Sequence, residues 1–95
     1  DNHAWLQERL AKLPFPVYVV PGNHDVPVLH ADRQSIAFVD FPYYYRKFGY
    51  SEPEKFYYTT QVLPGVRLIG LNSTSFNDRG EQIGRLDLEQ LRWLE

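Results

Sequence analysis

Val17-Tyr18-Val19-Val20-Pro21-Gly22-Asn23-His24-Asp25 is the stretch around which the rest of this sequence is organised. Its first four residues form a continuous apolar run rich in β-branched side chains, which predicts a strand covered on both faces. A proline and a glycine follow, and then an amide, an imidazole and a carboxylate come in succession. Because sites in open α/β sheets lie at the carboxyl ends of strands, the turn after this strand is predicted to be a functional site.

Composition places the chain among small globular domains. It has 95 residues, of which 43% are hydrophobic and 16% aromatic, enough for one domain with a modest core. The net charge of -2 gives no electrostatic argument for a nucleic-acid groove or for attraction to an anionic membrane. No apolar run approaches the ~18 residues of a membrane span. The absence of cysteine excludes disulfides and thiolate metal sites, and it fits the reducing cytoplasm, which is the expected location.

Two helices are predicted at the ends of the sequence. The first covers about residues 2–13 and is stopped by Pro14, because proline lacks an N–H group. The second follows Asp87, and Gln90 three residues later completes a capping-box pattern. Each helix has a stripe of leucines at helical spacing, which predicts its packing face. These leucines are Leu6, Leu10 and Leu13 in the first helix, and Leu88, Leu91 and Leu94 in the second.

A β-hairpin is predicted in the second half of the chain. Residues 56–61 and 66–71 are rich in aromatic and β-branched side chains, and Pro64-Gly65 between them suits the centre of a type II turn. Gly70 inside the second strand indicates a bulge or a close backbone approach. Residues 34–39 are predicted to form a short helical turn, and residues 72–85 a polar loop.

The turn offers the side chains needed for metal-assisted hydrolysis. Asn23 has a neutral oxygen that suits a hard divalent cation. His24 can carry a proton near neutral pH, and Asp25 can accept a hydrogen bond from its imidazole. A metal on Asn23 would polarise a phosphoryl oxygen or activate water, and His24 would protonate the leaving oxygen. The alternative is an ordinary turn, since Gly-Asn and aspartate are common in turns.

The quoted stretch resembles the third conserved block of the calcineurin-like metallophosphoesterases. Phe48-Gly49, Tyr57-Tyr58 and residues 67–74 resemble the family's hairpin and the strand after it. Gly84 and residues 90–94 resemble the helix that precedes the family's next histidine block. The pattern is most similar to the class III cyclic-nucleotide phosphodiesterase-like branch. Only the Gly-Asn-His-Asp block is specific, and the remainder is supporting similarity.

The resemblance implies a fold, cofactors and residue roles. The expected fold is α/β, a fragment of a β-sandwich flanked by helices, to which this chain contributes a helix, a strand, a hairpin and a second helix. The implied cofactors are two divalent metal ions, with manganese, iron and magnesium as candidates. Asn23 corresponds to a metal ligand, His24 to the catalytic proton donor and Asp25 to its catalytic partner. The implied substrate is a small phosphoester, with nucleotides among the candidates, and no membrane partner is expected.

Four other family blocks are missing from the sequence. They are an Asp-x-His block, the block with the bridging aspartate, a later histidine block and a Gly-His-x-His block. Two divalent ions ~3.5–4 Å apart repel strongly and need several carboxylates and imidazoles. Residues 1–95 are therefore expected to be the central segment of one such domain, truncated at both ends. Alone, they should bind metal weakly and show negligible turnover.

Other functions and other residues remain open at this point. The same scaffold serves a phosphomonoesterase or a nuclease, and a non-catalytic relative would use it only for binding or structure. His3 and His30 are predicted to be capping or surface residues rather than metal ligands. The block from Tyr43 to Lys47 is predicted to pack against the hairpin, although aromatic and basic side chains together can also stack a nucleotide base.

Overall fold

A computed structural model describes residues 2–26, 30 and 35–95 and combines helices with two small antiparallel sheets. This mixed content agrees with the expected α/β class. A 3₁₀ turn, Phe38–Asp40, leads directly into the second helix. The helices are α1 (Asn2–Ala11), α2 (Phe41–Tyr44) and α3 (Leu88–Leu94), and the strands are β1 (Tyr58–Leu63), β2 (Val66–Gly70), β3 (Thr74–Phe76) and β4 (Gln82–Gly84). No helix of the described residues is long and apolar enough to cross a membrane.

The predicted hairpin is confirmed as β1 and β2. The two strands pair antiparallel, from Tyr58 opposite Gly70 to Leu63 opposite Val66, with an irregularity between Gln61 and Leu63. Gly65 in the turn has φ +77, the left-handed conformation that glycine adopts without a steric penalty. The sequence signal was sufficient here because the turn residues and the strand composition pointed to the same structure.

A second hairpin, β3–β4, occupies part of the region predicted to be a polar loop. Its register runs from Thr74 opposite Gly84 to Phe76 opposite Gln82. The Asn77 side chain closes the connection, because its Oδ1 accepts hydrogen bonds from the backbone N–H groups of Arg79 (3.0 Å) and Glu81 (2.9 Å). With three residues each, these strands are too short for hydrophobic alternation to reveal them.

The core is a cluster of buried, mostly aromatic side chains in the middle of the chain. Helix α2 and the residues after it supply most of them, and Tyr45 is the member of the Tyr43 to Lys47 block that is buried in this cluster. Phe41 and Tyr45 have ring centroids 4.5 Å apart, and Tyr50 meets Tyr58 edge to face at 4.8 Å. The cluster consists of Val26, Ile36, Phe41, Tyr45, Phe48, Tyr50 and Tyr58. Tyr43 is exposed instead, with the Arg46 guanidinium 4.3 Å from its ring centroid.

The ring of Tyr58 lies between two glycines. A Cβ atom would come within 2.4 Å of this ring at Gly49 and within 2.6 Å at Gly70. The close backbone approach predicted at Gly70 is thus confirmed, and the approaching group is its cross-strand neighbour. The Tyr58 hydroxyl donates a hydrogen bond to the Val19 carbonyl (2.8 Å), so the hairpin is joined to the segment before the turn.

The prediction of a strand covered on both faces at residues 17–20 is wrong for the described structure. The segment is extended but pairs with no described strand; the Val19 N–H donates to the Phe48 carbonyl at 3.0 Å. Val17 and Val19 pack on the core, whereas Tyr18 and Val20 remain 36% and 47% exposed. Only the face that carries Val17 and Val19 is covered, and no described strand pairs with the segment in a ladder.

The leucine stripes do not form the packing faces of the helices. Helix α1 has no buried residue, and only Leu10 of its stripe packs against the core. In α3 the stripe leucines are all exposed, and the buried residue is the polar Gln90. Trp93 packs on Tyr57 with ring centroids 4.7 Å apart. The predicted turn at 34–39 falls partly outside the described residues, and the 3₁₀ turn begins only at Phe38.

Candidate active site

The candidate site is an exposed turn anchored at both ends. Pro21 and Val26 are buried, and Val26 has no exposed surface at all. The four residues between them, Gly22 to Asp25, are exposed. Burying the flanking residues fixes where the turn leaves the core, while its amide, imidazole and carboxylate remain available to a ligand.

Asp25 closes the turn through the backbone of Gly22. The Gly22 N–H donates to Asp25 Oδ2 at 2.7 Å, and the Asp25 N–H donates to the Gly22 carbonyl at 3.2 Å. A Cβ on Gly22 would lie 3.2 Å from the same carboxylate oxygen, which is a tight contact. Glycine therefore lets the carboxylate fold back onto the chain. The carboxylate holds the loop, and the His24 ring makes no hydrogen bond to any described residue.

A side chain of strand β4 also bonds to the turn. The Gln82 Nε2 group donates to the Asn23 carbonyl at 2.7 Å and to the Val26 carbonyl at 3.1 Å. These two carbonyls lie on either side of His24 and Asp25. The second hairpin thus bonds to the backbone of the turn, across 56 to 59 residues of sequence.

An open pocket of about 470 Å³ lies between the turn and the second hairpin. Asn23 forms part of its wall, so a ligand in the pocket would meet the predicted metal-ligating residue. The lining residues that the structure describes carry no formal charge: they are Pro21, Gly22, Asn23, Ser73, Thr74, Gln82, Ile83 and Gly84. The sequence did not reveal this wall, because β3 and β4 were predicted to be loop.

Asn72 and Gln90 hold the start of that hairpin. The Asn72 N–H donates to Gln90 Oε1, and Gln90 Nε2 donates to the Asn72 carbonyl, both at 2.8 Å. The Thr74 N–H donates to Asn72 Oδ1 at 2.9 Å. Asp87 caps α3 as predicted, because its Oδ1 accepts from the Gln90 N–H at 2.9 Å. The side chain of Gln90, however, bonds to Asn72 instead of returning to the start of its own helix.

Tyr45 links the turn to the core electrostatically. Burial, and then the negative charge of Asp25, raise the pKa of Tyr45 to about 12, so its hydroxyl stays protonated well above pH 10. This hydroxyl and His3 Nδ1 share a hydrogen bond of 2.5 Å. His3 is accordingly a contact of the core, and His30 is exposed. Neither lies in a metal-binding group of the described residues.

The described residues do not fit a pair of metal ions by themselves. They contain no group of three or more histidine, cysteine, aspartate or glutamate side chains that could hold a metal. Asn23 can offer one neutral oxygen, which cannot offset the repulsion between two divalent cations. The roles predicted for Asn23, His24 and Asp25 stay predictions.

Comparison with known proteins gives a match at the level of a family. The model of a family described as calcineurin-like phosphoesterase matches the chain over residues 1–95. No curated protein and no solved structure gives a significant match.

Proposed function

Because the chain belongs to the calcineurin-like phosphoesterase family, we propose that it contributes the 22–25 turn to the active site of a phosphodiesterase. The family implies a metal-dependent phosphoester hydrolase that uses two divalent metal ions. The observation that carries the proposal is the turn itself. It presents Asn23 to an open pocket and leaves the neighbouring His24 exposed to solvent, while buried residues hold the turn at both ends.

His24 is the proposed proton donor. Its imidazole is exposed, and in the protonated form it would give its proton to the leaving oxygen of the ester. Protonation prevents the alkoxide or phenoxide from leaving with a full negative charge. Asp25 supports this role by closing the turn through Gly22.

Asn23 would provide one oxygen ligand to a metal ion. When bound, the metal ions supply polarisation of the phosphoryl group and an activated water. The other ligands are not among the described residues. We therefore propose that residues 1–95 are the central segment of a catalytic domain, and that the sequence on either side contributes the carboxylates and histidines.

The uncharged pocket favours a phosphodiester over a phosphomonoester. A monoester carries up to two negative charges near neutral pH, whereas a diester carries one. Because the described lining includes no lysine or arginine, the pocket offers no cationic side chain, besides the proposed metal ions, as a partner for the second charge. The resemblance of residues 67–74 and 90–94 to the cyclic-nucleotide phosphodiesterase-like branch supports the same preference.

Hydrolysis assays on the protein that contains residues 1–95 test this proposal. Bis(p-nitrophenyl) phosphate and p-nitrophenyl phosphate are compared with added manganese, magnesium or iron(II). We expect hydrolysis of both, with the larger kcat/KM for the diester. Residues 1–95 alone should show negligible turnover, because the described residues lack a complete ligand set.

Each other outcome of these assays contradicts a stated part of the proposal. A larger kcat/KM for the monoester would make the protein a phosphomonoesterase. No hydrolysis of either ester with any of the three metals would favour a non-catalytic member of the family. A rate for residues 1–95 equal to that of the larger protein would overturn the inference that the ligands lie outside this chain.

A further inference from the structure

We propose that Gln82 is a positioning residue, whose side-chain amide holds the turn so that Asn23 and His24 face the reacting ester. This inference rests on the proposed function and adds to it a residue from a different hairpin. Gln82 would touch neither substrate nor metal. It would act through the backbone of the turn.

The geometry of one amide group carries the proposal. Gln82 Nε2 has two hydrogens, and it donates one hydrogen bond to the Asn23 carbonyl (2.7 Å) and another to the Val26 carbonyl (3.1 Å). Both distances lie within the normal range for N–H···O hydrogen bonds. The two acceptors stand at either end of the His24-Asp25 pair, so a single side chain spans the part of the turn that carries the chemistry.

The hydrogen bonds within the turn leave residues 23 and 26 without support, and Gln82 supplies it. The turn's own hydrogen bonds join only Gly22 and Asp25. Among the described residues, Gln82 is the only one from outside the turn that hydrogen-bonds to residues 23–26. Without it, the Asn23 carbonyl would lose its only described partner, and the peptide between Asn23 and His24 could rotate. Such rotation would redirect both side chains.

A role in general stability is the competing explanation, and the position of Gln82 argues against it. Gln82 is exposed and starts a strand of only three residues, opposite Phe76. Its side chain is not part of the aromatic core. Removing the amide should therefore lower the unfolding temperature by at most a few degrees, the shift expected for the loss of about one net hydrogen bond.

The test compares Gln82→Leu and Gln82→Glu with Gln61→Leu in the protein that contains this chain. Leucine removes both donors at similar size, and glutamate places an acceptor oxygen against the two carbonyls. Gln61 is the matched control, because it is also an exposed glutamine on a hairpin strand, and its side chain bonds to no described residue. Three quantities are measured: steady-state kinetics on bis(p-nitrophenyl) phosphate, the unfolding temperature and the hydrogen exchange of the Asp25 amide.

Both Gln82 variants should lower kcat by about 10–100-fold, with KM and the unfolding temperature close to those of the wild type. The Asp25 amide should exchange about tenfold faster, the factor expected for losing roughly one net hydrogen bond of support. Gln61→Leu should match the wild type in all three measurements. A fall in kcat without a fall in the unfolding temperature separates positioning from a structural role.

The outcomes distinguish a failure of this inference from a failure of the proposed function. If the wild type hydrolyses the diester and the Gln82 variants match Gln61→Leu, the positioning role of Gln82 is overturned and the phosphodiesterase proposal stands. A loss of activity that is accompanied by a large fall in the unfolding temperature would likewise overturn the positioning role of Gln82, in favour of a structural role. If the wild type hydrolyses no ester, the proposed function fails, and unchanged Asp25 exchange in Gln82→Leu would separately refute the contact with the turn.

Discussion

Residues 22–25 form an exposed turn that is closed by hydrogen bonds, whereas the aromatic cluster is buried and held together by the packing of its rings. The two regions meet at Val26, which has no exposed surface, and at Tyr45, whose pKa is raised by burial and by the charge of Asp25. The core should tolerate few changes in side-chain volume, because in a close-packed interior the addition or loss of a single methyl group affects the neighbouring side chains. The turn is held by a few hydrogen bonds, so we expect it to be sensitive instead to the loss of individual polar contacts.

This difference separates two kinds of residue that look alike in the sequence. Glycine at position 22 leaves room for the Asp25 carboxylate, while glycine at positions 49 and 70 leaves room for the Tyr58 ring. Substitution of the first should change the site, and substitution of the others should change the fold.

The largest effect on stability is expected for Gly49→Ala. Gly49 has φ +115, and its added Cβ would lie 2.4 Å from the buried Tyr58 ring. Backbone strain costs about 1–3 kcal/mol, and overpacking costs about 1–3 kcal/mol more. The free energy of unfolding, measured by chemical denaturation, should therefore fall by at least about 2 kcal/mol.

Gly84→Ala is the matched control for this substitution. Gly84, the last residue of β4, has open space around its Cβ position and no positive φ. Its alanine variant should stay within about 0.5 kcal/mol of the wild type. Equal free energies of unfolding for the two variants would contradict the close packing of the Tyr58 ring against Gly49.

A smaller effect is expected from alkaline pH. An unfolded tyrosine loses its proton near pH 10, whereas folded Tyr45 keeps its proton up to about pH 12. Between these values the unfolded state binds fewer protons, so the free energy of unfolding should fall as the pH rises from 10 to 12. Below pH 10 this contribution should be constant.

Tyr45→Phe identifies the group responsible for the alkaline loss. The variant lacks the titrating hydroxyl, so its free energy of unfolding should fall less steeply than that of the wild type between pH 10 and 12. A residual slope is expected, because burial also raises the pKa of Tyr50 and of Tyr58. Identical slopes in the two proteins would contradict the assignment to Tyr45.

The sequence was informative wherever neighbouring residues determine the structure. Pro64-Gly65 predicted the first hairpin, and Asp87 predicted the start of α3, since both signals act within a few residues. The Gly-Asn-His-Asp block and the match of the whole chain to the family model point to the same family. The exposed turn at that block was also predictable, since glycine and asparagine favour it.

The sequence was uninformative where contacts between residues far apart in the chain determine the structure. The contact of Gln82 with Asn23 and Val26 spans more than 50 positions, so no local pattern could reveal it. Gln90 fits a capping box, yet its buried side chain bonds to Asn72. The leucine stripe of α3 predicted a packing face, but its residues are exposed because the helix contacts the core region through Gln90 and Trp93.

The most direct test of the division between core and turn is His24→Ala in the protein that contains this chain, with His30→Ala as the control. Turnover of bis(p-nitrophenyl) phosphate and the free energy of unfolding are measured on the same samples. His24→Ala should lower kcat by roughly 10²–10⁴-fold and change the free energy of unfolding by less than about 0.5 kcal/mol, since His24 is exposed. The exposed His30 should tolerate the same change in both measurements. An unchanged kcat in His24→Ala would contradict the proposed role of the turn.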